Sequence, residues 1–297
     1  MNTENQKLID RYIMLRTTNG LTSESIKAIR GELGLFLRYL EKTDSKHISE
    51  VTHIDVEDFL QCCATGELTG KTNGAAALNR KFAAINTFYN TMIKKEYIDC
   101  KNPFDKVDKI KDHRKLRKHL DISEYNQLLL YLDETENIRD AALISFFYSS
   151  ACRLSEVIQQ NRNSLNFEKR QFVVVGKGQK ERLCIFNHDA VERIKRYLDT
   201  RKDDNTALFI SSLGNRLSKK AIQDAVKKAG KSAGINKNVH PHIFRHTRAM
   251  HLLKQGVPLE TIQRLLGHSS IATTQVYAHS SLEDLQGQID EIDKKVG

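Results

Sequence analysis

Between Val239 and His279 the chain concentrates groups that could do chemistry: the imidazoles His242 and His268, the guanidinium Arg245 and the phenol Tyr277. Cationic and imidazole groups beside a phenol suit an anionic reaction centre, in which the phenol attacks and the cations hold the developing charge. Six His fall in this stretch. Neither an H-E-x-x-H pair nor a Cys/His zinc spacing occurs among them, so no metal ion and no other cofactor is expected.

Three short helices must position these groups. Pro241 suits a first helical turn, because the N–H it lacks would be unpaired there anyway. His242 and Arg245 are then i,i+3 neighbours on one face. Gly256 can end that helix in the left-handed conformation. Pro258 starts the next, through Leu259, Ile262, Leu265 and Leu266 to Gly267, and Ser269 or Ser270 can cap a third that carries Tyr277.

His-x-x-Arg at His242 and Arg245, Leu-Gly-His at 266–268 and Tyr277 nine residues after His268 resemble the tyrosine recombinase (phage-integrase-type) family. The resemblance extends upstream to Cys152-Arg153-Leu154-Ser155-Glu156 and to the run from Gly176 to Arg182. No single motif is decisive, but their order and spacing together are specific. One departure is that Ala151-Cys152 stands before Arg153, where the family usually has Gly followed by a bulky aliphatic residue.

Phosphodiester transfer needs a nucleophile, charge neutralisation on the non-bridging oxygens and an acid for the leaving oxygen. Tyr277, the one Tyr of the motif stretch, is expected to be the nucleophile. Arg153 and Arg245 are expected to clamp the phosphate, since a planar guanidinium offers two parallel donors. Glu156, one turn after Arg153, is its natural supporting partner. The resemblance implies that Lys177 protonates the leaving 5′-oxygen. It also implies that His242 helps remove the tyrosine proton and that His268 donates a hydrogen bond to the phosphate.

The 297 residues suffice for two domains. The net charge of +10 and a pI of about 9.3 favour a polyanionic partner such as nucleic acid. No run approaches the ~20 apolar residues that span a bilayer, and no signal peptide is read at the N-terminus. A cytoplasmic location with no membrane partner is therefore expected. The five Cys contain no C-x-x-C and are expected to be reduced thiols.

Apolar periodicity predicts helices over 4–16, from Thr22 to about Leu40, over 55–63 and over 75–95, so residues 1–100 read as a compact helical domain. In the family this is the core-binding module that clamps DNA. Lys27 and Arg30 on its second helix, and Arg80 and Lys81 near its fourth, are candidate phosphate contacts. Residues 101–119 read as a basic linker. Its stretch 101–118 holds eight Lys/Arg against three Asp, an excess of +5 (8 − 3), with Lys115, Arg117 and Lys118 as further candidates.

The catalytic domain is expected over 120–280, with helices over 123–133, 138–150, 153–159, 189–200 and 218–233. Phe172–Val175 and Arg182–Phe186 read as two strands around a Gly176–Lys180 turn. The predicted fold class is therefore mainly α with a small antiparallel sheet: an N-terminal helical core-binding domain and a C-terminal α+β catalytic domain. Over 281–297, Leu282, Leu285, Ile289 and Ile292 form an apolar stripe that needs a partner surface.

The leading expectation is a site-specific recombinase acting on a double-stranded DNA recombination site. As the family implies, it would work through a 3′-phosphotyrosyl intermediate and a Holliday junction, as a homo-tetramer on DNA whose C-terminal helix docks on the next protomer. An accessory protein or partner recombinase is also possible. The short N-terminus leaves no room for an arm-site-binding domain, which favours a simple Xer-like member. Other readings are a relaxing topoisomerase of the same chemistry, a DNA-binding protein that has kept the fold without catalysis, and a metal-dependent His-cluster enzyme.

Overall fold

The computed structural model describes residues 3–43, 46–111, 118–176 and 181–267. The chain divides into two compact units, Met1–Arg114 and Lys115–Gly297.

The first unit is built from α1 (Thr3–Thr18), α2 (Ser23–Lys42), α3 (His53–Thr65) and α4 (Ala75–Lys94). Capping chemistry sets their starts. Thr22 accepts from the Ser25 N–H at the head of α2, and Thr52 and Asp55 form a reciprocal capping box at the head of α3. The apolar stripes of these helices meet in an aromatic core. Phe36 and Phe59 pack edge to face at 5.1 Å, as do Tyr12 and Phe88 at 5.2 Å. The buried Tyr89 hydroxyl donates to the Ile48 carbonyl at 2.8 Å, which satisfies its one polar atom.

Part of the basic stretch after α4 joins this core. Phe104, in a 3-10 turn over Pro103–Lys106, is buried against Phe82 at 5.0 Å. Asn79 then fixes the backbone of Ile110 in both directions, donating to its carbonyl at 2.7 Å and accepting from its N–H at 3.1 Å.

The second unit is organised around α6 (Ile138–Ser150), whose Ala142, Leu143, Ile144, Phe146 and Phe147 are fully buried. A helix apolar on all sides must be wrapped. Packed around it are α5 (Ile122–Glu134), α8 (His188–Asp199), α9 (Lys219–Ser232), α10 (Pro241–Lys254) and the sheet. Truncating a residue such as Phe147 to Ala would cost about 3–5 kcal/mol.

The sheet is antiparallel, in the order β1 (Leu165–Asn166), β2 (Gln171–Val175) and β3 (Glu181–Ile185). Its alternation is clear: Phe172, Val174 and Cys184 face the core, while Val173, Val175, Leu183 and Ile185 are exposed. β1 is the element the sequence did not reveal, since two residues carry no periodicity. A smaller core of Ala151, Ala249, Met250, Ile262 and Leu266 holds α10 and α11 (Leu259–Leu266) to the turn that follows α6. Among the described residues, no helix is long and apolar enough to cross a membrane.

Candidate active site

The site begins where α6 ends. Ala151 caps α6 in the left-handed region (φ 51°, ψ 24°), which redirects the chain so that Arg153 becomes the N-cap of α7 (Leu154–Gln159). Glu156 closes a capping box on that turn, accepting from the Arg153 N–H at 2.7 Å and from Arg153 Nη1 at 3.0 Å. The Glu156 side chain is only 4% exposed. Both its oxygens are also bound by Arg182 on β3, at 2.7 and 2.8 Å. Burial alone would raise its pKa, but the hydrogen bonds and charge of Arg182, with those of Arg153, outweigh that and pull the carboxyl down to about 2. Arg153 is the more open partner, with 41% of its side chain exposed.

α10 brings the second group. Pro241 occupies its first turn, as its fixed φ favours. His242 on the next position is exposed, whereas Arg245 one turn later is buried. Arg245 donates Nη1 to the Ala151 carbonyl at 2.8 Å and Nη2 to the Leu266 carbonyl at 2.5 Å. It therefore ties the turn before Arg153 to the end of α11. Although part of its surface is open, the protein around the ring desolvates it, and that, followed by the charges of His240, Arg245, Arg153 and Lys219, holds His242 below the usual imidazole pKa. A neutral imidazole there can accept a proton at pH 7.

Gly267, φ 62°, ends α11, and a Cβ on it would lie 2.7 Å from Cδ and Nε of Arg182. The Arg182 side chain thus lies directly against the residue that precedes His268. Three separate stretches, around Arg153, Arg182 and Arg245, converge on the backbone of this site. Two guanidinia, a neutral imidazole and a buried carboxylate that orients one of them form an arrangement suited to a phosphate oxyanion.

Lys177, His268, Tyr277, Lys115 and Arg117 lie outside the described residues, as do the Gly176–Lys180 turn beyond Gly176, the expected third helix and the apolar stripe over 281–297. Of the candidate DNA contacts, Lys27 and Lys118 are exposed. Arg30 pairs with Asp10 at 2.9 Å and Arg80 with Glu32 at 3.0 Å, and both arginines remain more than half exposed. Lys81 departs from its expected role, because its side chain is 8% exposed and its Nζ is held by Glu32 at 2.8 Å.

Sequence reasoning missed two features. Arg182 is legible as a strand residue and as the end of the Gly176–Arg182 run, but not as the principal partner of Glu156. The exposed lysines of α9, Lys219, Lys220, Lys227, Lys228 and Lys231, went unremarked, although five Lys against the single acid Asp224 was a legible signal.

Residues 118–283 match the phage integrase family, and residues 9–96 match its N-terminal SAM-like domain. The tyrosine recombinase XerD of Staphylococcus epidermidis is 32% identical over 288 residues, covering 94% of this chain and 96% of the relative. The tyrosine recombinase XerC of Escherichia coli O127:H6 is 34% identical over 221 residues, or 73% and 74% of the two chains. Among solved structures, the XerH site-specific recombinase in a post-cleavage complex with a palindromic difH substrate shares the fold, with a TM-score of 0.74 at 20% identity over 89% of this chain and 79% of that one. Motif order, converging site geometry and these relatives agree: the chain belongs to the phage integrase family and is a tyrosine-type site-specific recombinase.

Proposed function

We propose that this chain cleaves double-stranded DNA at a specific site through attack of Tyr277 on the scissile phosphate. The step leaves a 3′-phosphotyrosyl bond, which the 5′-hydroxyl of a partner strand then reverses. The ester bond is conserved throughout, so the chemistry calls for no cofactor. The observation that supports this reading best is the Arg245 bond to the Ala151 carbonyl, which ties the His-x-x-Arg helix α10 to the turn that carries Arg153.

In this reading Arg153 and Arg245 neutralise the non-bridging oxygens and Glu156 holds Arg153 in place. His242 accepts the tyrosine proton, His268 adds a hydrogen bond to the phosphate, and Lys177 protonates the leaving 5′-oxygen. Residues 1–100 serve as the DNA-clamping domain, 101–119 as a basic connection along the phosphate backbone and 120–280 as the catalytic domain. Residues 281–297 dock on a neighbouring protomer, so that four copies act on two duplexes through a Holliday junction.

Lys27, Lys115, Arg117 and Lys118 contact phosphates, joined by Arg30 and Arg80. Exposed ion pairs such as Arg30–Asp10 are worth little and exchange readily for a phosphate. The exposed lysines of α9 extend this surface, and the charge of Lys219 at the head of that helix already acts on His242. The test is a nicked suicide substrate. Tyr277→Phe should bind the site with unchanged affinity and trap no covalent adduct. A normal adduct yield in that variant would move the nucleophile to another residue.

A further inference from the structure

Two buried thiols lie between the two stretches that hold Glu156. Cys152 immediately precedes Arg153, Cys184 follows Arg182 by two residues on β3, and their sulfurs are 3.7 Å apart. The two side chains are 2% and 3% exposed. Cys152 is fixed at its backbone, where its N–H donates to Ser150 Oγ at 3.3 Å, and Cys184 is fixed by its pairing with Phe172 across the sheet. We propose that Cys152 and Cys184 form an oxidisable pair, which a peroxide converts to a disulfide that pulls the Arg153 turn toward β3 and slows strand cleavage.

The reaction balances within the site. The Cys184 thiol loses its proton and, as thiolate, attacks one oxygen of hydrogen peroxide; the O–O bond breaks, and the departing hydroxide takes up that proton as the first water, leaving a Cys184 sulfenic acid. The Cys152 sulfur then attacks the Cys184 sulfur. The S–O bond breaks, the leaving hydroxide takes the Cys152 proton, and the S–S bond forms. Two thiols and one peroxide give one disulfide and two waters.

The surroundings favour Cys184 as the attacking group. Its pKa is lowered, first by the hydrogen bond from the Cys152 thiol, with the charge of Arg182 adding to it. The other four thiols move the opposite way. Burial raises Cys62, Cys63 and Cys100, and Cys152 rises because it is the donor to Cys184 and because it is buried.

Closing the pair has a geometric consequence. A disulfide needs about 2.05 Å between sulfurs, so the two must approach by about 1.7 Å from their present separation. Cys152 is one residue from the guanidinium expected to hold the phosphate, and displacements of about 1 Å in a reacting group can cost a hundredfold in rate. This consequence rests on the proposed role of Arg153. The bond itself does not.

The experiment treats the full-length protein with hydrogen peroxide, alkylates the remaining thiols and maps peptides by mass without reduction. A linked Cys152–Cys184 peptide is expected, together with a fall of about tenfold or more in adduct yield on the suicide substrate, restored by dithiothreitol. Cys184→Ser and, in case that variant folds poorly, Cys152→Val should keep their yield after peroxide. Oxidation confined to Cys62 or Cys100 would overturn the proposal, as would equal inhibition of both variants. A linked peptide with unchanged cleavage would overturn the regulatory consequence. A protein that cleaves nothing before treatment yet forms the linked peptide would instead count against the proposed function.

Discussion

Arg182 and Glu156 meet end-on, Nη1 to Oε1 at 2.7 Å and Nη2 to Oε2 at 2.8 Å, and so join β3 to the first turn of α7. The Glu156 carboxyl is held at about 2 in the folded protein, below its ordinary 4.5. Its contribution to stability is therefore fully present above about pH 4.5 and is lost as pH falls toward 2. Arg182→Gln should destabilise the second unit by about 3 kcal/mol near neutral pH, because a buried carboxylate loses its main partner. The gap between variant and wild type should narrow as pH falls from about 4.5 toward 2 in denaturant titrations. A gap independent of pH would mean that the pair is not what the substitution removes.

Arg153 and Arg245 should respond differently to the same replacement. Lys cannot reach both the Ala151 and Leu266 carbonyls as the Arg245 fork does. Arg245→Lys should therefore lose stability as well as about a hundredfold in cleavage rate. Arg153→Lys, at a position 41% exposed, should lose cleavage with little change in unfolding midpoint. Equal stability losses in the two variants would contradict the contrast in burial.

His251 offers a second pH signature. Its ring is buried, lies 2.9 Å from the Tyr148 hydroxyl and 2.9 Å from the Leu120 carbonyl, and is flanked by His119, Lys254 and Arg248. Burial lowers its pKa below the usual imidazole value. The stability it confers is present above about pH 6.5 and declines as pH falls below that. His251→Gln should thus be less stable than wild type at pH 7.5 but show a shallower loss between pH 7 and 5.5. Parallel profiles would exclude His251 as the titrating group.

DNA affinity should fall steeply with salt if phosphates dominate binding. Replacing Lys227, Lys228 and Lys231 of α9 by Ala should reduce the slope of log affinity against log salt by about 2 to 3, close to 0.9 for each lost phosphate contact. The same triple change at Lys115, Arg117 and Lys118 measures the basic connection. Lys81→Ala should alter stability through its buried pairing with Glu32 and leave the slope unchanged. A slope that drops in Lys81→Ala would return that residue to the DNA surface.

What was legible in the sequence was local. Thr22 and Pro241 mark helix starts through chemistry within one turn, and the apolar run over Ile138–Ser150 states its own burial. The site motifs were legible for the same reason, since His-x-x-Arg spans one turn of α10 and Arg-x-x-Glu one N-terminal capping turn of α7. What escaped was remote in sequence. Glu32 captures Lys81 from 49 residues away, Arg182 reaches Glu156 across 26, and Cys152 meets Cys184 across 32. Periodicity carries no information about such pairs, because they are fixed by how the helices and the sheet pack.

Ala151 sets a tolerance as well as a turn. A non-glycine residue held at φ 51° and wholly enclosed admits no larger side chain, for β-branched and long residues resist that backbone and have nowhere to extend. Glycine fits the dihedral without strain, at the cost of a freer unfolded chain and a lost methyl contact, so the position tolerates a smaller residue and not a larger one. The same carbonyl that this conformation turns inward is the one Arg245 grips, and the next residue but one is Arg153. The position therefore behaves like the fulcrum of a lever: small angular errors there swing a long guanidinium arm. Variation accumulating in this protein should be felt at residue 151 as lost alignment well before it is felt as lost fold.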